Sequence, residues 1–345
     1  MVSQFVLSTH CLSHSSFSNK VFSSFTMKKN FYITFLLFFV VGCIFVACTK
    51  KNRGGRTDTK TSGTISFVSD ESFSPIIDEL REQFEYQYPK AHLTPNYTDE
   101  IEGLNKLKNL QTCLLITSRG LTESEIAYFR TKKQIPVVMP IGYDGLALIV
   151  NKQNNDTCIT VNDVKKILSG EVRNWNQVYK GSNRGEIEVV FDNKQSATLH
   201  YVVDSILGGK PIDSPNIVAA KTSKDVIDYV DKTPNAIGVI GSNWLNDRRD
   251  STNTTFKKNI HVMNVTTRDI ATPQNSWKPY QGYLLDGRYP FVRTLYAIAV
   301  DPQRALPWSF ANFIEGPKGQ LIIFKAVLLP YRGEINIRTV NVKKE

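Results

Sequence analysis

The sequence is poor in the residues that bind metals and form covalent cross-links. Only five cysteines and five histidines occur among its 345 residues. The histidines beyond residue 60, which are His92, His200 and His261, lie far apart, and no Cys-x-x-Cys pair is present. Cys113 and Cys158 are expected to be thiols, with a disulfide between them as the alternative. Nothing has the spacing of metal ligands, so we expect no metal and no cofactor.

The composition excludes several classes of protein. Hydrophobic residues make up 41% and charged residues 21%, which is typical of a globular protein and not of a disordered or polytopic membrane chain. The motifs G-x-S-x-G, H-E-x-x-H and G-x-x-x-x-G-K-[ST] are absent. The net charge of +10 comes without a dense Lys/Arg block, which favours an anionic ligand over nucleic acid. We therefore expect neither an enzyme nor a nucleic-acid-binding protein.

The first 47 residues contain no acidic side chain and have the pattern of an export signal. A positive start at residues 27–29 is followed by the apolar run 31–47. This pattern predicts a signal peptide over residues 1–47. Residues 1–26 are either an over-extended start, with the true start near residue 27, or an elongated n-region. A single transmembrane anchor is the alternative, although the run is at the short limit of a membrane span.

A candidate lipid-attachment site closes the apolar run. Val46-Ala47-Cys48 resembles the lipobox of bacterial lipoproteins, and Cys43 is a second candidate. Residues 48–63 are polar and small, which is typical of a flexible tether. We predict a lipidated Cys48 and a membrane-anchored lipoprotein of the cell envelope, facing the periplasm or the exterior.

Beyond residue 63 the hydrophobic periodicity alternates between strands and helices. Residues 64–68 alternate as a strand does, and an amphipathic helix follows Ser74 and ends at Pro89. The alternation continues to a capping box at Thr122, and a similar series follows. This order predicts an α/β fold with mostly parallel sheets.

Two long apolar runs, near residues 146 and 296, bracket the second series. The arrangement predicts two α/β lobes joined by two crossing strands. Residues 64–145 plus 290–345 would form lobe 1, and residues 146–289 would form lobe 2.

Four short segments, in order, resemble those of the phosphate-binding proteins of bacterial phosphate ABC transporters. They are ILSGEVRNW at 167–175, NAIGV at 235–239, YPFVRTLY at 289–296, and the GQ and LLP of 319–330. The resemblance implies the type II periplasmic-binding-protein fold, in which each lobe is a mostly parallel sheet flanked by helices and two hinge strands join the lobes. It also implies a monomer without catalytic activity, which captures phosphate or a similar oxyanion and delivers it to an ABC permease in the inner membrane.

Two loops of the first lobe are candidates for contact with the anion, because ligands of α/β sheets bind at the carboxyl ends of strands. The resemblance implies a hydroxyl donor in the loop 69–74, and Ser72 is our candidate. Capping of the next helix is the alternative role for the serines of this loop. In the loop 117–121, Arg119 stands where the family often has Asp, and Ser118 is a secondary candidate. Pairing of Arg119 with Glu123 is the alternative.

The third loop follows a strand of the second lobe. Residues 192–198 resemble the family's R-x-x-x-S-G-T, with Ser196 and Thr198 retained and Ala197 in place of Gly. Capping of the next helix is the alternative role for Ser196. Asp192 stands where Arg is expected, so we expect Arg119 to supply the missing positive charge. Because Arg119 replaces an Asp of the family and Asp192 replaces an Arg, another oxyanion or a small organic acid is an alternative ligand. A surface sensor or adhesion protein on the same fold is the alternative function.

Overall fold

The computed structural model describes residues 55–246, 257 and 259–333. The predicted signal peptide 1–47 and the lipidated Cys48 lie outside these residues. Almost all described residues belong to one compact unit, Asp58–Glu345. Within the described part of the chain, no helix combines the length and the apolar character that a membrane span requires.

Strands and helices alternate along this unit. The strands are β1 (Ser62–Asp70), β2 (Lys90–Thr98), β3 (Leu114–Thr117), β4 (Val137–Asn151), β5 (Cys158–Thr160), β6 (Glu188–Phe191), β7 (Ile217–Ala219), β8 (Ala236–Gly241), β9 (Ile260–Val262), β10 (Asn264–Thr266), β11 (Val292–Ala299) and β12 (Leu329–Pro330). The helices are α1 (Ser74–Gln87), α2 (Glu100–Lys108), α3 (Glu123–Thr131), α4 (Val161–Leu168), α5 (Trp175–Val178), α6 (Ala197–Tyr201), α7 (Ser223–Lys232), α8 (Gln281–Leu285), α9 (Leu306–Glu315) and α10 (Pro317–Lys325).

One large mixed sheet connects the two lobes. Its strand order is β2-β1-β3-β11-β4-β8-β6-β7, and β12 and β9 also pair with β4. The outer strands are parallel, as β1 is to β2 and β3, and β6 is to β7 and β8. The central strands β11 and β4 run antiparallel to each other. The expected two-lobed α/β fold is confirmed, with antiparallel strands at its centre.

Strand β4 is shared between the lobes. Its first part, Val137–Gly145, pairs with β11, and from Leu146 onward it pairs with β8. A separate hydrophobic core lies on each side of this change of partner. One core contains Phe67, Phe84 and Phe310, and the other contains Trp175 and Phe191.

Local capping sets the starts of several helices. Thr122 accepts a hydrogen bond from the backbone N–H of Glu125, whose side chain bonds back to Thr122, which completes the expected capping box. The start of α1 differs from the expectation that Ser74 caps it. The chain makes an additional 3₁₀ turn, Glu71–Phe73, directly after β1, and Asp70 caps that turn. Ser74 is consequently the first residue of the helix.

Candidate functional site

A buried arginine on β11 is the centre of a polar cluster between the lobes. Arg293 is 2% exposed, and its Nε and Nη2 lie 3.0 and 2.8 Å from Oδ2 of Asp144. The two residues are direct partners in the pairing of β11 with β4. Oδ1 of Asp144 accepts hydrogen bonds from the backbone N–H and the hydroxyl of Ser242, and the guanidinium lies over the ring of Phe73. These contacts hold the guanidinium in one orientation.

The remaining N–H groups of Arg293 reach one hydroxyl from each lobe. Nη1 lies 3.3 Å from Oγ1 of Thr198, which belongs to α6. Nη2 lies 3.3 Å from Oγ of Ser72, in the turn after β1. The structure therefore brings the predicted residues Ser72 and Thr198 to the same guanidinium.

The carboxylate of Asp70, at the end of β1, accepts hydrogen bonds from residues of both lobes. Its Oδ1 accepts hydrogen bonds from the N–H and the hydroxyl of Ser72, and its Oδ2 accepts one from the N–H of Ala197 at 3.1 Å. Burial, assisted by the negative charge of Asp192, raises the pKa of Asp70 to about 7, although Ser72, Ala197 and Arg293 oppose the shift. The secondary candidate Ala197 thus contributes a backbone donor to this cluster.

Asp192 and Ser196 form the second lobe's part of the cluster. Oδ1 of Asp192 accepts hydrogen bonds from the N–H of Asn193 and from the hydroxyl of Ser196. The same Ser196 oxygen accepts from the N–H of Leu199, so Ser196 is the N-cap of α6. Burial raises the pKa of Asp192.

The structure does not bring Arg119 or Ser118 to Arg293. Arg119 forms two hydrogen bonds with the Glu125 carboxylate, at 2.9 and 3.0 Å, and its side chain is 36% exposed. The capping box holds Glu125 at the start of α3, which places a carboxylate within reach of Arg119. Ser118 donates to Oε2 of Glu100 at 3.1 Å. The carboxylate partners of Arg119 are thus Glu125 and, at 3.8 Å, Glu100, and not the expected Glu123.

Further contacts join the lobes around the cluster. Glu71 accepts hydrogen bonds from the N–H and hydroxyl of Ser223. Trp244 Nε1 donates to the Ser72 carbonyl at 2.9 Å. On the other side, Nδ1 of His200 lies 3.0 Å from Oε1 of Glu100, and this carboxylate raises the pKa of His200.

The described residues contain neither a candidate metal-ion site nor a disulfide. Between residues 55 and 333, as far as these are described, no group of three or more His, Cys, Asp or Glu side chains is arranged to hold a metal ion. Cys113 and Cys158 are not joined by a disulfide in the described part of the chain.

Sequence reasoning missed Arg293, Asp144 and Gly241. A Cβ at Gly241 would lie 2.7 Å from Oδ2 of Asp144 and 2.8 Å from Nη2 of Arg293, so glycine lets the strand pass close to the ion pair. The available signal was the position of Asp144 and Arg293 inside otherwise apolar runs, because a charge buried in a strand requires a partner.

The match to a family decides the class of this protein. The family model described as a PBP superfamily domain matches residues 54–317. The chain belongs to the PBP superfamily. This membership confirms the prediction of a binding protein and not an enzyme.

Curated relatives and solved structures of this superfamily agree with the match. The chain is 24% identical over 266 residues to the phosphate-binding protein PstS of Borreliella burgdorferi, covering 75% of this chain and 87% of the relative. It is 24% identical to PstS of Bacillus subtilis, over 64% of this chain and 73% of the relative. A crystal structure from Clostridium perfringens with bound phosphate superposes with a TM-score of 0.64 and 21% identity, over 78% of this chain and 100% of that one.

An ABC-type phosphate transport receptor from Vibrio cholerae superposes with a TM-score of 0.57 and 21% identity, again over 78% of this chain and 100% of that one. These likenesses confirm the two-lobed type II fold. In this PBP-superfamily chain, the Arg293 cluster lies between the lobes, within hydrogen-bonding reach of the loops after β1 and β6.

Proposed function

We propose that this chain is a solute-binding protein that holds phosphate between its two lobes and presents it to the permease of an ABC importer. The observation that carries the proposal is the convergence of Arg293 with hydroxyls from both lobes, those of Ser72 and Thr198. The names of the curated relatives, which are phosphate-binding proteins, agree with this ligand.

The donor groups of the cluster suit a tetrahedral oxyanion. The guanidinium and the Thr198 hydroxyl can donate to oxygens of the ligand, and the Ser72 hydroxyl and the Ala197 N–H can do so in exchange for their present bonds to Asp70. Because Ser72 and Thr198 come from different lobes, an anion that bonds to both also holds the lobes together. Binding and closure of the cleft are therefore coupled. Ser196 contributes by fixing the loop that carries Thr198.

The N-terminal sequence indicates where this binding protein would act. Export by the segment 1–47 and lipid on Cys48 would place the binding unit at a membrane surface outside the cytoplasm, as a monomer on a polar tether. The permease would then collect the ligand from the closed lobes.

Titration calorimetry of the full-length protein with phosphate tests the proposal, with variants that separate the two candidate arginines. A charge-assisted hydrogen bond contributes about 1.5–3 kcal/mol, so Arg293→Gln should weaken binding about ten- to a hundredfold. Arg119→Gln removes the same charge from a position bonded to Glu125, and we expect the affinity to stay within about twofold.

Loss of the Arg293 charge leaves Asp144 buried without its counter-ion, which destabilises the folded protein. A second set of variants therefore distinguishes weaker binding from loss of the fold. The double variant Arg293→Gln with Asp144→Asn restores neutrality and should still bind weakly. Thr198→Val should weaken binding about tenfold or less. Phosphate binding that depends on Arg119 and not on Arg293, or no binding of phosphate at all, would contradict the proposal.

A further inference from the structure

A short turn of the first lobe is bonded to two separate elements of the second lobe. The turn is Glu71–Phe73, which follows β1 and carries Ser72 of the Arg293 cluster. The groups that reach the second lobe are the Glu71 carboxylate and the Ser72 carbonyl. A carboxylate and a carbonyl only accept hydrogen bonds, so neither group can donate one to an anion. These contacts therefore join the lobes without forming part of the anion-binding donor set.

The Glu71 carboxylate lies at the N-terminus of α7. Its Oε2 accepts hydrogen bonds from the hydroxyl of Ser223 at 2.8 Å and from the N–H of Ser223 at 3.1 Å. Ser223 is the first residue of α7, and an N–H at this position has no partner inside its own helix. The helix dipole also favours a negative charge there. A side chain of the first lobe thus bonds to a helix of the second lobe that lies 152 residues further along the chain.

The Ser72 carbonyl is held by the turn that follows β8. It accepts hydrogen bonds from Nδ2 of Asn243 at 3.0 Å and from Nε1 of Trp244 at 2.9 Å. Both donors belong to the 3₁₀ turn Ser242–Trp244 of the second lobe. The hydroxyl of the same Ser72 lies 3.3 Å from Nη2 of Arg293. The contacts of the carbonyl therefore help to fix the residue whose hydroxyl belongs to the cluster.

The surroundings of Glu71 do not suit direct contact with an anion. Burial raises the pKa of Glu71, and the negative charges of Asp192 and Asp225 act in the same direction, although the bonds from Ser223 oppose the shift. An anion beside Glu71 would be repelled by this group of carboxylates. Any effect of Glu71 on binding must therefore pass through its contact with α7.

We propose that Glu71 is a positioning residue: its bonds to Ser223, assisted by the bond from Trp244 to Ser72, keep the cleft closed and slow the departure of the bound anion. This inference rests on the proposed function. The anion enters the cleft before these bonds form, and it leaves only after they break. Their loss should therefore raise the dissociation rate and leave the association rate nearly unchanged.

Stopped-flow fluorescence and calorimetry of the full-length protein with inorganic phosphate measure the two rates and the affinity. In Glu71→Ala, we expect dissociation to be about tenfold faster, association to stay within about twofold, and the affinity to fall about tenfold. Glu71→Gln keeps an uncharged acceptor and should show a smaller change in the same direction, which preserves the test if Glu71→Ala does not fold. Glu82→Ala is the matched control, because this carboxylate on the adjoining helix α1 is 68% exposed, and both rates should equal those of the wild type.

A double-mutant cycle tests whether Glu71 acts through the second lobe. Ser223→Ala removes the hydroxyl donor and keeps the N–H. The double variant Glu71→Ala with Ser223→Ala should release phosphate no faster than Glu71→Ala alone, because the two residues share one contact. Trp244→Phe keeps an aromatic ring without the N–H, and it should speed dissociation about two- to tenfold. Multiplied effects of Glu71→Ala and Ser223→Ala would overturn the inference.

Small-angle scattering tests the closure independently of the ligand. Without phosphate, Glu71→Ala should have a larger average radius of gyration than the wild type and Glu82→Ala, because its lobes separate more often. An unchanged dissociation rate in Glu71→Ala, or a change confined to association, would overturn the inference. If the wild type binds no phosphate, the proposed function fails, and the scattering alone decides the role of Glu71: equal radii would overturn it.

Discussion

At the scale of single residues, the site depends on how closely backbone and side chains approach each other. Gly241, at the end of β8, lies against the buried ion pair of Asp144 and Arg293. The nearest atoms belong to side chains that are held from several directions, as Asp144 is by Ser242. They cannot move away without breaking hydrogen bonds in the cluster.

We therefore predict that Gly241→Ala damages both stability and binding. The added methyl group would overlap the ion pair, and overpacking of this kind costs about 1–3 kcal/mol. Urea unfolding should show a lower midpoint, and phosphate titration should show weaker binding. Gly282→Ala is the matched control, because a Cβ there meets nothing within 4 Å. Equal behaviour of the two variants would show that the approach at Gly241 is not required.

At the scale of elements, the packing of α7 on the sheet relies on a second glycine. A Cβ at Gly238 on β8 would lie 2.8 Å from both Ile149 Cγ1 and Val230 Cγ2, and 2.9 Å from Val226 Cγ1. The apolar face of α7 therefore rests directly on the backbone of β8. Glycine at this position sets the distance between the helix and the sheet.

Gly238→Ala should lower the free energy of unfolding by about 1–3 kcal/mol, because the helix must move away from the strand. Phosphate affinity of the folded variant should change little, since these contacts are apolar and separate from the Arg293 cluster. Chemical denaturation and calorimetry measure the two effects. Gly120→Ala, whose Cβ would have its nearest neighbour at 3.8 Å, should unfold like the wild type. A Gly238→Ala protein that is as stable as this control would refute the packing argument.

At the scale of the whole molecule, the ionisable groups between the lobes make stability depend on pH. Burial raises the pKa of Asp70 to about 7, so the folded protein holds a proton on Asp70 that the unfolded chain releases near its ordinary value. Stability from this group is present below about pH 4 and is lost as the pH rises toward 7. The raised pKa of His200, caused by Glu100, acts in the same direction: its contribution is complete below the ordinary histidine value and lost above the raised one.

In buffers without phosphate, the unfolding free energy should therefore fall between pH 5 and 8. Over this range Asp70 alone accounts for a loss on the order of 2–3 kcal/mol, since about two pH units lie between pH 5 and its pKa of about 7 and each unit corresponds to about 1.4 kcal/mol. Asp70→Asn removes this titration, so its stability should change much less over the same range. Urea denaturation at several pH values measures both slopes. Parallel slopes for the variant and the wild type would rule out Asp70 as the source.

Much of this molecule could be predicted from local sequence. Periodicity gave the strands and helices of both lobes, and the Thr122 capping box gave the start of α3. The family resemblance marked Ser72 and Thr198, in loops that follow strands, as candidate ligand donors, and the structure brings both hydroxyls to Arg293. These features depend on residues that are near neighbours in the chain.

The position of the positive charge was decided only by tertiary structure. Arg119 and Arg293 are equivalent as residue types, and the sequence favoured Arg119 because it lies in a candidate loop. The position of an arginine guanidinium is set by the carboxylate with which it pairs. Glu125 is six residues from Arg119 and binds its guanidinium locally, whereas Asp144 is 149 residues from Arg293 and meets it only because β4 pairs with β11. A local sequence pattern can reveal a pair of residues six positions apart but not a pair 149 positions apart. The sequence therefore determined the loops, and only the fold determined which arginine lies between them.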